Sequence, residues 1–305
     1  MKNSRGYKNS RKKTGCVYYR IGGITIQIEA DLPIGENTFH AKLEPFKVSG
    51  PGEDTVCIRH HFSLPNLKVK DLGENIYYKP PWSIYKKKDS WIYLGISADR
   101  GEADLHRIAV FNNDHSRAEI YHPDELSFKK GNIPSLTLFA TDQILIAKLL
   151  ANRQGFYLHS SAVIFGGKGF VFAGHSEAGK STVTTMMMRH DSEVLCDDRN
   201  IIRHNPEGFT VYGSWSHGDI PDISPNSVPL HAILFLEQSR VNQLLRITDK
   251  KVIFKKLIAC LIKPLETVDW WEKELDLLWQ IAGKVPVYRM LFSKDGNIVD
   301  KIKKI

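Results

Sequence analysis

Cysteine is scarce in this 305-residue chain: Cys16, Cys57, Cys196 and Cys260 are widely scattered and form no Cys-x-x-Cys pair. That excludes a dense disulfide framework and leads us to expect a reduced compartment. Long apolar runs are missing as well. Nothing approaches the stretch of about 18 residues that a spanning helix needs, and the basic segment Met1–Lys13 lacks the apolar core of a secretory signal. A cytoplasmic protein without a membrane span is expected. Apart from the first residues there is no low-complexity tract and no repeat.

Acidic residues are absent from the two ends. Of the 42 lysines and arginines, six lie within the first 13 residues and three within the last five. This leaves 33 basic residues against 34 acidic ones, so the net charge of +8 resides in the termini and the body is near neutral. A nucleic-acid groove is therefore not expected. Residues 1–14 are expected to be a disordered basic tail, with contact to an acidic peptide or polyanion as the alternative. The hydrophobic fraction of 42% and the charged fraction of 25% are ordinary for globular domains, and the length suggests two of them.

What the chain does contain is Gly174-His-Ser-Glu-Ala-Gly-Lys-Ser181, a G-x-x-x-x-G-K-S phosphate-binding pattern. The apolar run Lys168–Gly174 precedes it and the helix-compatible Thr182–His190 follows. Strand, glycine loop and helix N-terminus is the context that phosphate binding needs. Gly174, His175, Ser176, Glu177, Ala178, Gly179, Lys180, Ser181 and Thr182 are the expected nucleotide-binding residues. Lys180 supplies a mobile cation for the β- and γ-phosphates, and the Ser181 hydroxyl is a candidate ligand for Mg²⁺. ATP and Mg²⁺ are the expected cofactors. The bland alternative is a glycine turn before an ordinary helix.

Glu193-Val-Leu-Cys196 reads as an apolar strand that ends in Asp197-Asp198-Arg199. Adjacent side chains on a strand alternate faces, yet at a frayed end both carboxylates can lean into one phosphate site. One can hold Mg²⁺ while the other accepts the proton of an attacking hydroxyl; a solvated Asp-Asp turn is the alternative. Upstream, Phe156–Phe165 carries His159 and is separated from the glycine-loop strand by Gly166-Gly167, a two-residue hairpin signal. That hairpin places His159 beside the phosphate site.

In this order, Leu158-His-Ser-Ser-Ala-Val-Ile164, the glycine loop and Leu195-Cys-Asp-Asp-Arg199 resemble the kinase domain of the HPr kinase/phosphorylase family, and more closely its related kinases. Pro229–Glu237 and Val285–Leu291 also fit, so the resemblance spans about residues 155 to 300. It implies a fold of the HPr kinase and PEP carboxykinase type and transfer of a γ-phosphoryl group to a serine-type hydroxyl of a protein, peptide or small molecule. Carried over residue by residue, it implies Asp197 as catalytic base, Asp198 and Ser181 as metal ligands, Lys180 as phosphate clamp and His159 as active-site partner. Relatives are often oligomers, so a homo-oligomer is a further implication. No arginine- and glycine-rich loop of the phosphorylase reaction is found, nor that family's usual N-terminal domain. The alternative is a nucleotide-binding regulatory module without phosphotransfer. A PEP-carboxykinase-like decarboxylase is not expected, because no second cluster of acids and histidines is visible.

The expected fold class is mixed α and β: a β-rich N-terminal domain over residues 15–134, then a P-loop kinase domain over 135–305. Strands are expected at Val17–Ile21 and Ile24–Glu29 around Gly22-Gly23, and at several later β-branched and aromatic runs up to Tyr121. Their aromatic residues are expected to pack one sheet face, with a ligand groove as the alternative. The pattern predicts a helix from Ser135 to Asn152 and two more over Lys250–Ile262 and Thr267–Ala282. Trp215, His217 and Asp219, on a loop dense in functional side chains, are candidates to touch nucleotide or acceptor. The N-terminal domain is expected to present the acceptor.

Overall fold

Strands with alternating inward and outward residues build most of the molecule. In Thr55–His61, for example, Val56, Ile58 and His60 are buried while their neighbours are half-buried. The computed structural model describes residues 15–66, 68, 71–96, 105–137, 142–263 and 267–305; the expected basic tail lies outside them.

Among the described residues the first sheet has nine strands: β1 (Val17–Ile21), β2 (Ile24–Ala30), β3 (Lys47–Val48), β4 (Thr55–His61), β5 (Glu74–Lys79), β6 (Trp82–Lys86), β7 (Ser90–Ile96), β8 (Leu105–Asn112) and β9 (Arg117–Tyr121). Their order is β3-β1-β2-β4-β9-β8-β7-β6-β5. Among the described residues, only the β2–β4 and β4–β9 pairings of this sheet are parallel. The expected packing of aromatics on a sheet face holds for Trp91 and Tyr93, which are buried, whereas Tyr78 is exposed.

The second sheet, among the described residues, has eight strands: β10 (Gly155–Phe165), β11 (Lys168–Ala173), β12 (Glu193–Cys196), β13 (Arg199–Asn205), β14 (Gly208–Tyr212), β15 (Ser227–Gln238), β16 (Gln243–Arg246) and β17 (Val287–Phe292). Two long strands belong to two sets of neighbours. Gly155–His159 of β10 pairs with β13, while Ser160–Phe165 pairs with β11 and part of the same stretch with β12. β15 pairs with β14 at its start and then runs parallel to β11 and β17. The β10–β11 hairpin turns on Gly166 and Gly167, with φ of 55° and 74°. Two successive left-handed residues make the turn whose twist suits a hairpin, and glycine adopts it without steric cost.

The helices are α1 (Leu126–Lys130), α2 (Gln143–Ala151), α3 (Lys180–Met188), α4 (Lys250–Cys260), α5 (Val268–Lys284) and α6 (Ile298–Ile302), with a 3-10 turn at Ala41–Phe46. The helix expected from Ser135 begins only at Gln143. The buried Asp142 carboxylate accepts hydrogen bonds from the backbone N–H groups of Leu136 and Thr137 and from the Thr137 hydroxyl. These bonds hold 136–137 in a non-helical turn ahead of α2; Leu138, within the expected helix, lies outside the described residues.

The largest core is shared between the sheets. Ile26, Ile28, Val56 and Ile58 of the first sheet join Leu145 and Leu149 of α2 and Tyr157, Ile201 and Trp215 of the second half. Trp215 meets Phe46 edge-on at 5.2 Å between ring centroids. α4 and α5 cover one further core, and α3 and α6 another. Among the described residues no helix is long and apolar enough to cross a membrane.

Candidate functional site

The loop between β11 and α3 is shaped by one left-handed glycine. Gly179, at the N-terminus of α3, has φ +100° and provides no side-chain cap. A Cβ there would lie 2.7 Å from Cζ of the buried Phe292. The first N–H groups of α3 have no intrahelical acceptor and stand at the positive end of the helix dipole. Within the same loop Glu177 also has positive φ, 66°.

Lys180 is mostly buried, and its Nζ donates to the carbonyls of His175 (3.2 Å) and Gly174 (3.4 Å). Burial lowers its pKa from the usual lysine value, while Asp198 and Asp197 act against that shift. Ser181 is half-buried, with Oγ 3.4 Å from Oδ2 of Asp197.

The two aspartates occupy a jog in the chain. β12 ends at Cys196, opposite Ala162, and β13 starts at Arg199, opposite His159. Asp197 and Asp198 fill the step, and the Asp198 carbonyl accepts a hydrogen bond from the Ser160 N–H at 3.0 Å. Asp197 is 2% exposed. Its Oδ1 accepts from the Gly218 N–H (2.6 Å) and its Oδ2 from the Ile220 N–H (2.8 Å). Asp198 is partnered differently: Nε2 of His159 lies 3.1 Å from Oδ1 and Nη1 of Arg199 lies 2.7 Å from Oδ2. Burial alone would raise the Asp198 pKa, but the His159 hydrogen bond and the charges of Arg199, His159 and Lys180 together bring it below the ordinary value.

These groups surround one cavity of about 440 Å³. Of the sequence-predicted residues, His159, Ser176, Glu177, Gly179, Lys180, Ser181, Thr182, Asp197 and Asp198 line it. Gly174 and His175 contribute carbonyls to Lys180 instead, and Ala178 is buried against Gly174. Of the loop candidates, Asp219 lines the cavity. His217 is exposed, with Nδ1 3.0 Å from the Gly218 carbonyl, and Trp215 belongs to the shared core. Sequence reasoning missed Gly218, Gln238 and Lys294, which complete the wall, along with the Ile220 amide. Backbone amides leave no side-chain signature. Gln238, whose Nε2 donates to the Glu177 carbonyl at 2.9 Å, is brought in by the parallel pairing of β15 with β11, a long-range pairing that no local pattern announces.

Among the described residues no group of three or more His, Cys, Asp or Glu side chains is placed to hold a metal ion alone. Magnesium carried with a nucleotide asks less of a protein, because phosphates and waters fill most of its octahedron. Ser181 with one aspartate is compatible with that demand.

A search of solved structures finds likeness to the HPr(Ser) kinase/phosphatase from Coxiella burnetii. The identity is 10%, and the match covers 48% of this chain and 96% of that one with a TM-score of 0.28. That overlap is too slight to establish a shared fold. Among curated proteins, none matches the chain. Residues 131–305, which contain every group lining the cavity, match the family described as SynChlorMet cassette protein ScmC, and the chain belongs to that family.

Proposed function

We propose that the chain is a magnesium- and ATP-dependent phosphotransferase that phosphorylates a serine-type hydroxyl. The observation that carries this is the convergence on one cavity of the uncapped α3 N-terminus, Lys180, Ser181, Asp197, Asp198 and His159. Open amides and a lysine are suited to the β- and γ-phosphates. The HPr-kinase type of organisation over 135–305, and acceptor presentation by residues 15–134, are parts of the same proposal.

The geometry favours exchanging the two aspartate roles that the resemblance implies. Asp197 is bonded to two loop amides and stands beside Ser181, so it belongs on the metal side with that hydroxyl. Asp198 pairs with His159, an arrangement in which a carboxylate orients an imidazole toward the acceptor. In this mechanism the helix amides and Lys180 hold the phosphates, and bound Mg²⁺ would supply neutralisation of the developing charge. His159, held by Asp198, orients the acceptor hydroxyl and accepts its proton, while Arg199 fixes Asp198 from the other side.

The family description as a cassette protein directs the search for the acceptor to products of accompanying genes. The test is incubation of the full chain with γ-labelled ATP, Mg²⁺ and those products or free serine. Label on an acceptor hydroxyl, absent with Lys180→Met, supports phosphotransfer. ATP binding with neither transfer nor hydrolysis supports the regulatory module instead.

A further inference from the structure

A second cavity, of about 490 Å³, lies where the first sheet meets α2 and α5. Its walls come from β6 and β7 (Lys86, Trp91), the β8–β9 turn (Asn113, Asp114), α2 (Lys148) and α5 (Asp269, Lys273). That volume is in the range of small-molecule sites, about 300–1,000 Å³. None of the residues discussed for phosphotransfer takes part in it.

Two cations converge on one indole there. The Lys86 Nζ is 4.4 Å and the Lys148 Nζ 5.1 Å from the Trp91 ring centroid. Trp91 is itself fixed by its Nε1–H, which donates to the Asn113 carbonyl at 3.2 Å. Lys148 is only 4% exposed, and its ammonium donates to the neutral Thr267 hydroxyl at 2.5 Å. Lys86 donates to the neutral Asn113 side-chain carbonyl at 2.5 Å.

The acids on the wall make their close contacts to other groups, although the Asp269 charge acts on both Lys148 and Lys86. Asp114 accepts from the N–H and hydroxyl of Ser116, and Asp269 lies 3.8 Å from the Lys273 ammonium. Among the described residues, no ion pair joins either of them to Lys86 or Lys148. A desolvated ammonium without a contact ion pair is costly; accordingly burial depresses the Lys148 pKa to about 8, and Asp269, whose charge is shared with Lys86 and Lys273, only partly opposes the shift. An anion in the cavity that these ammonium groups line would relieve that cost.

We infer that this cavity binds a small oxyanion-bearing ligand, a carboxylate or a phosphate, which Lys148 and Lys86 hold beside the Trp91 indole. The ligand would bridge the two halves of the chain, because Lys86 and Trp91 precede α2 while Lys148 and Lys273 lie on α2 and α5.

The test follows indole N–H signals of the full chain labelled with ¹⁵N-tryptophan, the Trp91 signal being assigned with Trp91→Phe. Inorganic phosphate and succinate are titrated separately at millimolar concentrations. The expected result is a saturable shift of the Trp91 signal with at least one of them, retained in Lys180→Met. Response to phosphate alone assigns a phosphate-bearing ligand, and response to succinate alone a carboxylate. In Lys148→Met the apparent affinity falls about tenfold or more, the worth of one charge-assisted hydrogen bond. Lys86→Gln, on an only partly buried side chain, gives the same direction should Lys148→Met fail to fold. A Trp91 signal unmoved by both anions, or shifts of wild-type affinity in either lysine variant, overturns the inference.

Discussion

Nε2 of His159 lies 3.1 Å from Oδ1 of Asp198, and the pair joins β10, where it exchanges β13 for β11, to the step between β12 and β13. The pair faces the cavity that also holds Lys180 and Ser181. Whether it handles the acceptor proton is open to direct mutagenesis. Asp198→Asn is expected to cut transfer by about 10²- to 10⁴-fold, the usual worth of general acid–base help, with ATP affinity changed little. Steady-state transfer and equilibrium ATP binding measure the two effects separately. Transfer at the wild-type rate would return the base role to Asp197.

Asp197 makes a contrasting prediction. Its carboxylate holds the Gly218 and Ile220 amides, so Asp197→Ala is expected to loosen the loop as well as impair magnesium use. Each bond to the charged group is worth about 1.5–3 kcal/mol. Hydrogen exchange should show faster exchange at Gly218 and Ile220, and the magnesium concentration for half-maximal transfer should rise. Unchanged exchange would show that the loop is held by other contacts.

Gly179→Ala tests the loop geometry. The backbone there is left-handed at φ +100° and an added methyl would meet Phe292 at 2.7 Å. A loss of about 1–3 kcal/mol is expected from the strained conformation, together with weakened nucleotide binding. Urea denaturation measures the first. Combining the change with Phe292→Leu should recover part of the stability if the clash contributes.

The glycine loop, the Gly166-Gly167 hairpin and the Asp197-Asp198 strand end could be read from the sequence because each is a local pattern with its own backbone chemistry. The strands from Val17 to Tyr121 were readable for the same reason. The late start of α2 was not, since it depends on Asp142 turning its carboxylate back to Leu136 and Thr137. The placement of Trp215 was also hidden: a tryptophan on a polar loop gives no sign that Phe46, far away in sequence, completes its core.

That shared core leads to a prediction about the two halves. A fragment starting at Ser135 would expose Leu145, Leu149, Tyr157, Ile201 and Trp215, which are buried in the full chain. It is expected to be insoluble or poorly folded, and Trp215→Ala in the full chain to cost about 3–5 kcal/mol. A cooperative unfolding transition in the isolated fragment would show instead that residues 135–305 fold independently.

Acid should destabilise the first half. His60 and His122, 3.0 Å apart, have pKa values lowered by burial from 6.5 to about 4 and about 3. A histidine with a depressed folded pKa is stabilising in its neutral form above pH 6.5, and that contribution is lost as pH falls toward the folded value. The urea midpoint should therefore drop between pH 7 and pH 4, and the drop should be smaller in His60→Gln. A flat profile across that range would mean the histidines are not held neutral by the fold.

The most direct measurement is calorimetric titration of the full chain with ATP and Mg²⁺, compared with Lys180→Met and Asp198→Asn. A nucleotide-binding phosphotransfer cavity predicts saturable one-site binding that weakens sharply with Lys180→Met and persists with Asp198→Asn. Absence of ATP binding in the wild-type chain, or equal affinity in Lys180→Met, would contradict the account.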